Sequence, residues 1–209
     1  MFSLQTIFGK GDKFYDLLER SADAAHESAR ALHGLVTQAD HTPVMAEFAA
    51  ARAREKALAT QISEELVNTF VTALDREDIE ALNTALYKIP KTVEKFAERY
   101  DIVAFRLAGV DFAQRALVLE RSCAVVREMI GELRRGLRID PVKKLQDRLQ
   151  TLESEGDRML LAPYRTLYVE GNDAMRAMLA KDLFELLEKA IDKCRDVGNI
   201  VYSIVLKNS

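Results

Sequence analysis

Apolar residues recur in alternating steps of three and four at Ile79, Leu82, Leu86, Ile89, Val93, Phe96 and Tyr100. This is the spacing of one face of an α-helix, and it predicts a helix with that face in a core. A longer seam advances by sevens through Phe105, Phe112, Leu119, Val126 and Leu133, beside Ile102, Ala116, Cys123, Ile130 and Leu137. Read as one element, it predicts a helix over 102–135, which at ~1.5 Å per residue approaches ~50 Å.

Punctuation between the periodic stretches supplies the remaining boundaries. Thr42-Pro43 and Asp140-Pro141 each place a capping side chain before a proline suited to the first helical turn, and Asp75 and Asn172 are expected to cap two further starts. The predicted helices run roughly over 12–37, 43–69, 76–99, 102–135, 141–168 and 173–206. Short connections make successive helices antiparallel neighbours. The expected architecture is therefore an all-α, up-down bundle of six long helices, arranged as two three-helix units side by side. Pro90 and Pro163 fall inside helices and are expected to kink them.

Composition agrees with this reading and narrows the function. The 209 residues include no Trp, four Pro and nine Gly, with 48% hydrophobic and 30% charged residues. That material suits amphipathic helices and is enough for a sizeable core. The formal net charge of -3 gives no general attraction to nucleic acid or to an anionic membrane. No run approaches the eighteen or so apolar residues of a membrane span, and the opening MFSLQTIFGKGDKF is too short, and broken too early by Gly9 and Gly11, to be a signal peptide. The expectation is a soluble protein, peripheral to a membrane at most. Cys123 and Cys194 both fall on apolar positions, where a free thiol behaves as a small hydrophobe, which fits a reducing cytoplasm.

The charges carry a repeat. Glu188, Asp192 and Asp196 are spaced by four, and Glu153 and Asp157 form a second such pair in LESEGDRML. Subtracting 101 from these positions lands on Tyr87, Lys91 and Lys95, and on Arg52 and Lys56. The chain thus reads as two half-repeats, about 12–100 and 102–206, with opposite charges at matching positions.

Like charges four apart on a helix repel by a few tenths of a kcal/mol per pair, so these acids need neutralising. Two readings compete. Four carboxylates converging from the fifth and sixth helices, without His or Cys, are the donor set of a hard cation such as Mg²⁺, Ca²⁺, Mn²⁺ or iron. Alternatively the acids form a solvated face screened by Lys189, Lys193 and Arg195.

Catalysis finds little support. A di-metal site in a helical bundle usually needs Glu-x-x-His on facing helices, whereas the chain offers Asp23-x-x-His26 once, with His33 and His41 as its other imidazoles. GKGD at Gly9 to Asp12 follows no strand and is a weak phosphate loop. A structural module is the remaining rival class: a metal-free helical scaffold, or a homo-oligomer paired through the long seam of the fourth helix.

Several stretches resemble a known family. TFVTALDREDIEAL, from Thr69 to Leu82, is similar to the turn and helix start of PhoU-like proteins, in the branch described as accessory proteins of the low-affinity inorganic phosphate transporter. LESEGDRML, the C-terminal ELLEKAIDKCRDVGNIVYSIVLKNS and the opening KFYDLLERSA resemble the same branch. The resemblance implies a cytoplasmic six-helix bundle with pseudo-twofold symmetry. It implies a non-enzymatic regulator of phosphate transport, partnered by an inorganic phosphate transporter of the inner membrane. It also implies a multinuclear iron or other divalent metal site, whose motif falls on Glu153, Asp157, Glu188, Asp192 and Asp196. The first half departs from the family, because Arg52, Lys56, Tyr87, Lys88 and Lys91 stand where acids are usual. Either Arg52, Lys56, Lys91 and Lys95 pair with Glu55, Glu94 and Glu98, or Arg52, Lys56, Lys88 and Lys91 form a surface for an anion or an acidic partner.

Overall fold

The computed structural model describes residues 4–37, 44–167 and 173–208, with side chains at 13–37, 45–159 and 173–208. Six α-helices account for nearly all of them: α1 Leu4–Thr37, α2 Val44–Asn68, α3 Arg76–Val103, α4 Ala113–Arg134, α5 Ile139–Leu167 and α6 Ala174–Lys207. A single 3₁₀ turn, Ala104–Arg106, follows α3. The all-α bundle expected from the apolar spacing is the observed architecture.

Helix packing follows the two halves. Within the first, α1 packs on α2 and α3, and α2 on α3; within the second, α4 packs on α5 and α6, and α5 on α6. The halves meet through α1 on α4 and α3 on α6, so exchanging the two halves leaves this set of contacts unchanged. Lys207 at the end of α6 reaches Asp78 in the first turn of α3 at 2.7 Å, while Arg176 at the start of α6 donates to the Ala108 carbonyl beyond the end of α3 at 2.7 Å. These two contacts hold α3 and α6 antiparallel along their length.

The apolar face of α3 behaves as its spacing predicts: Ile79, Leu82, Leu86, Ile89, Val93 and Phe96 are buried in one continuous core. Pro90 is accommodated inside this helix and is itself buried. Pro163 and the Thr42-Pro43 and Asn172 caps concern side chains outside those described. Asp173 caps α6, accepting from the Met175 backbone at 2.9 Å. Asp140 sits inside the first turn of α5, which begins at Ile139, and Asp75 precedes α3 without a side-chain cap, its carbonyl accepting from Ile79 at 3.0 Å.

Two boundaries differ from the sequence expectation. The first helix begins at Leu4 and continues through Gly9 and Gly11. The expected helix over 102–135 is divided: α3 runs on to Val103, and α4 starts only at Ala113. Gly109 takes a φ of +80° in the intervening loop, a conformation that a helix cannot contain. Asp111 then accepts from the Ala113 backbone at 2.8 Å and starts the new helix. Ile102 and Phe105, counted in the heptad seam, are consequently exposed. Phe112 is buried instead as a plug, packing on Phe96 and Phe184 at ring separations of 5.6 and 4.7 Å. From Ala116 to Leu133 the seam is core as expected.

Cys123 and Cys194 face each other across α4 and α6, both fully buried, with sulfurs 3.5 Å apart. The neighbouring thiol and burial push Cys194 well above the usual thiol range. They are core groups, as their apolar positions suggested.

Candidate functional site

On the second half, α5 and α6 bring four of the five predicted acids, Glu153, Asp157, Glu188 and Asp192, close together. Gly156 permits this approach, since a side chain there would meet the Ile191 Cδ1 at 3.1 Å. Leu187, Ile191 and Cys194 are buried beneath, so Glu188, Asp192 and Asp196 flank the core rather than enter it. Glu188 stands at the centre of the negative field. Burial, then Asp192, Asp157, Glu185 and Glu153, push its carboxyl above the usual range.

Neutralisation comes from within the chain. Arg195 pairs with Glu153 across the α5–α6 interface and with Asp192 on its own helix at 3.2 Å. Lys193 pairs with Asp196 at 2.6 Å. Among the described residues no three carboxylate, imidazole or thiol groups converge closely enough to hold a metal ion. The Arg195 guanidinium lies between Glu153 and Asp192, two of the acids expected to hold a cation. Asp196 is drawn aside to Lys193 and lines a separate groove between α3 and α6 with Glu80 and Lys88.

The first half shows the same frame with charges exchanged. Arg52 on α2 pairs with Glu94 on α3 at 3.3 Å, and stacks over the Tyr87 ring at 4.0 Å. Of the pairings expected with Glu55, Glu94 and Glu98, this is the ion pair that forms among the described residues. Glu55 is instead fully buried, accepting from Ser21 on α1 at 2.7 Å. Burial pushes its carboxyl upward, against the opposing pull of the Ser21 hydrogen bond and Arg52. Lys56, Lys88 and Lys91 line one 550 Å³ cleft between α2 and α3 with Tyr87, and the Lys91 ammonium lies 5.7 Å from the Tyr87 centroid.

A third feature was not anticipated. The α2–α3 turn presents Val67, Phe70 and Val71 to solvent, with Phe70 fully exposed. Arg76 holds that turn in shape, donating to the Leu66 carbonyl and to the Thr69 carbonyl at 2.6 Å. Thr72 closes it onto the Leu74 carbonyl at 2.6 Å. The TALDREDI stretch is thus a built turn: Arg76 staples it to α2, and Asp78 anchors it to Lys207. Its apolar tip could have been suspected from TFV, three residues that interrupt a polar turn.

The two described imidazoles are engaged away from these faces, and His41 lies outside the described residues. His33 pairs with Glu120 at 2.8 Å. His26 lies beside Arg127, with burial first and that guanidinium second pushing it below the usual histidine range.

Comparison with known proteins decides the fold. A PhoU-like protein from Shewanella oneidensis MR-1 superposes with a TM-score of 0.82 over 93% of this chain and 99% of that one, at 17% identity. The fold is that of PhoU-like proteins. A second chain from the same organism, described as a PhoU-like phosphate regulatory protein, gives 0.80 over 93% and 99%, at 16% identity. By sequence, the chain is 23% identical over 145 residues to the UPF0111 protein YkaA of Bacillus subtilis (strain 168), covering 69% of this chain and 70% of that protein. No family model matches the sequence. No helix among the described residues of this PhoU-like bundle is long and apolar enough to cross a membrane.

Proposed function

We propose that the protein is a non-enzymatic cytoplasmic accessory of inorganic phosphate transport, acting by binding a transporter of the inner membrane. The observation that carries this reading is the match over nearly the whole chain to a bundle described as a phosphate regulatory protein. A binding role, rather than a catalytic one, is supported by the state of the reactive groups. The two thiols are sealed in the core, and His33 is tied to a carboxylate.

The surface offered to the partner is the stapled α2–α3 turn. Exposed Phe70 and Val71 supply apolar contact area on a rigid mount, the feature that marks an interaction site on a soluble bundle. A divalent cation or iron cluster at Glu153, Asp157, Glu188 and Asp192 has to displace Arg195 in this reading, so metal and ion pair compete for the same oxygens.

A second reading, a homo-oligomeric module, is favoured by apolar exposure at the other end, where Ile102, Phe105 and Met175 face solvent. Co-purification from membranes, using the intact chain and a Phe70→Ser, Val71→Ser variant, separates the two. Recovery of a phosphate transporter with the intact chain and its loss with the variant supports the accessory role. Concentration-dependent self-association without any transporter supports the module.

A further inference from the structure

The cleft between α2 and α3 has an unusual wall. Lys56 enters from α2, Lys88 and Lys91 from α3, and no aspartate or glutamate lines it, in a chain with 33 acidic residues. None of the three ammoniums has an acidic partner within ion-pair distance among the described residues, whereas Arg52 and Arg195 each pair with a carboxylate. Lys88 and Lys91 are three apart on one helix face, so they repel as the acids of the second half do. In the second half, Arg195 and Lys193 relieve that repulsion internally. Here Glu94 is taken by Arg52, and the acids nearest Lys88, Glu80 and Asp196, line a different groove. Arg52 in turn stacks on Tyr87 in the cleft wall, which adds a fourth cation behind the ring.

An anion is the ligand this wall lacks. Lysine ammoniums act as point-charge donors to phosphoryl oxygens, and several of them around one concavity reinforce each other. The cleft volume of 550 Å³ falls in the ~300–1,000 Å³ range of small-ligand sites and exceeds the needs of a single orthophosphate ion. We propose that this cleft binds a phosphoryl oxyanion, with room for a short inorganic phosphate chain such as pyrophosphate. Its cationic character rests on the geometry alone. Its choice of a phosphoryl group over other oxyanions rests on the phosphate role proposed above.

The test is calorimetric titration of the full chain with orthophosphate, pyrophosphate and sulfate, for the parent and for two variants. Lys56→Gln, Lys91→Gln alters the cleft, while Lys143→Gln, Lys144→Gln removes equal charge from exposed positions on α5. All four lysines are exposed, so both variants are expected to melt with the parent. The expected result is saturable binding of one pyrophosphate per chain, weakened at least tenfold by the cleft variant and unchanged by the control. Absence of saturable binding by either phosphate, or equal weakening by both variants, overturns the site. Sulfate binding as tight as orthophosphate overturns its phosphoryl character. The two proposals fail separately: lost binding with an intact effect on phosphate uptake removes the cleft alone, and intact binding with no effect on uptake removes the transport role alone.

Discussion

Arg195 on the sixth helix pairs with Glu153 on the fifth, and the same contact occurs 101 positions earlier with its charges exchanged, as Glu94 on the third helix and Arg52 on the second. The two pairs occupy matching positions with the charge signs exchanged. The second half holds its acids around a guanidinium, and the first holds its cations around an aromatic ring and an open cleft.

Because the pair is defined by position rather than by sign, reversing it is expected to be tolerated. Arg52→Glu, Glu94→Arg should recover most of the stability that Arg52→Glu alone loses. The recovered coupling should be about 0.2–1 kcal/mol, the range for partly exposed ion pairs, and should shrink with added salt. A double-mutant cycle by denaturant unfolding at two salt concentrations reads both. Arg195→Gln is the complementary experiment. It frees Glu153 and Asp192, so Ca²⁺ or Mn²⁺ should raise the melting temperature of that variant by more than it raises that of the parent.

Glu188 gives a pH dependence of definite sign. Its folded carboxyl titrates above the usual range, so between the unfolded and folded values the native state binds more protons. The native state is therefore favoured below that window, and the contribution is lost as pH rises through the folded value. Glu188→Gln removes the charge, and should melt higher than the parent near neutral pH. The difference should close as pH falls below the usual carboxylate range. Thermal melts of both proteins from acidic to neutral pH check the sign.

Two glycines inside helices should respond oppositely to alanine. At Gly198 on α6 an added Cβ would lie 2.5 Å from the Leu149 Cδ2 and 2.7 Å from the Gln146 Oε1, both on buried side chains of α5. Overpacking of this kind costs ~1–3 kcal/mol, against up to ~1 kcal/mol gained in helix propensity. At Gly131 on α4 nothing lies within 4 Å of the new atom. Gly198→Ala should lower the melting temperature, and Gly131→Ala should raise it, at about 2–4 °C per kcal/mol for a chain of this size.

Much of this molecule was legible in the residues, and the exceptions have physical causes. The run from Ile79 to Phe96 declared its helix because one unbroken apolar face is buried along it. Ile102, Phe105 and Phe112 kept the same register and misled, because periodicity reports spacing and not the backbone angle that Gly109 adopts between them. The repeat offset was visible in the acids and bases, and it carried the matching of Glu153 to Arg52 into three dimensions. What spacing did not reveal is which countercharge each group selects. Arg195 reaches two acids, one of them across a helix interface, and Glu55 turns inward to Ser21 rather than outward to a lysine. Such choices depend on side-chain reach and burial, which a one-dimensional pattern does not contain.

The most direct measurement of the account is the uptake of radiolabelled inorganic phosphate by cells that carry the gene, lack it, or express it again from a plasmid. Uptake should change on deletion and return with the intact chain, but not with the Phe70→Ser, Val71→Ser variant at equal protein level. Identical uptake in all of these cells, at both scarce and abundant phosphate, would contradict a role in phosphate transport.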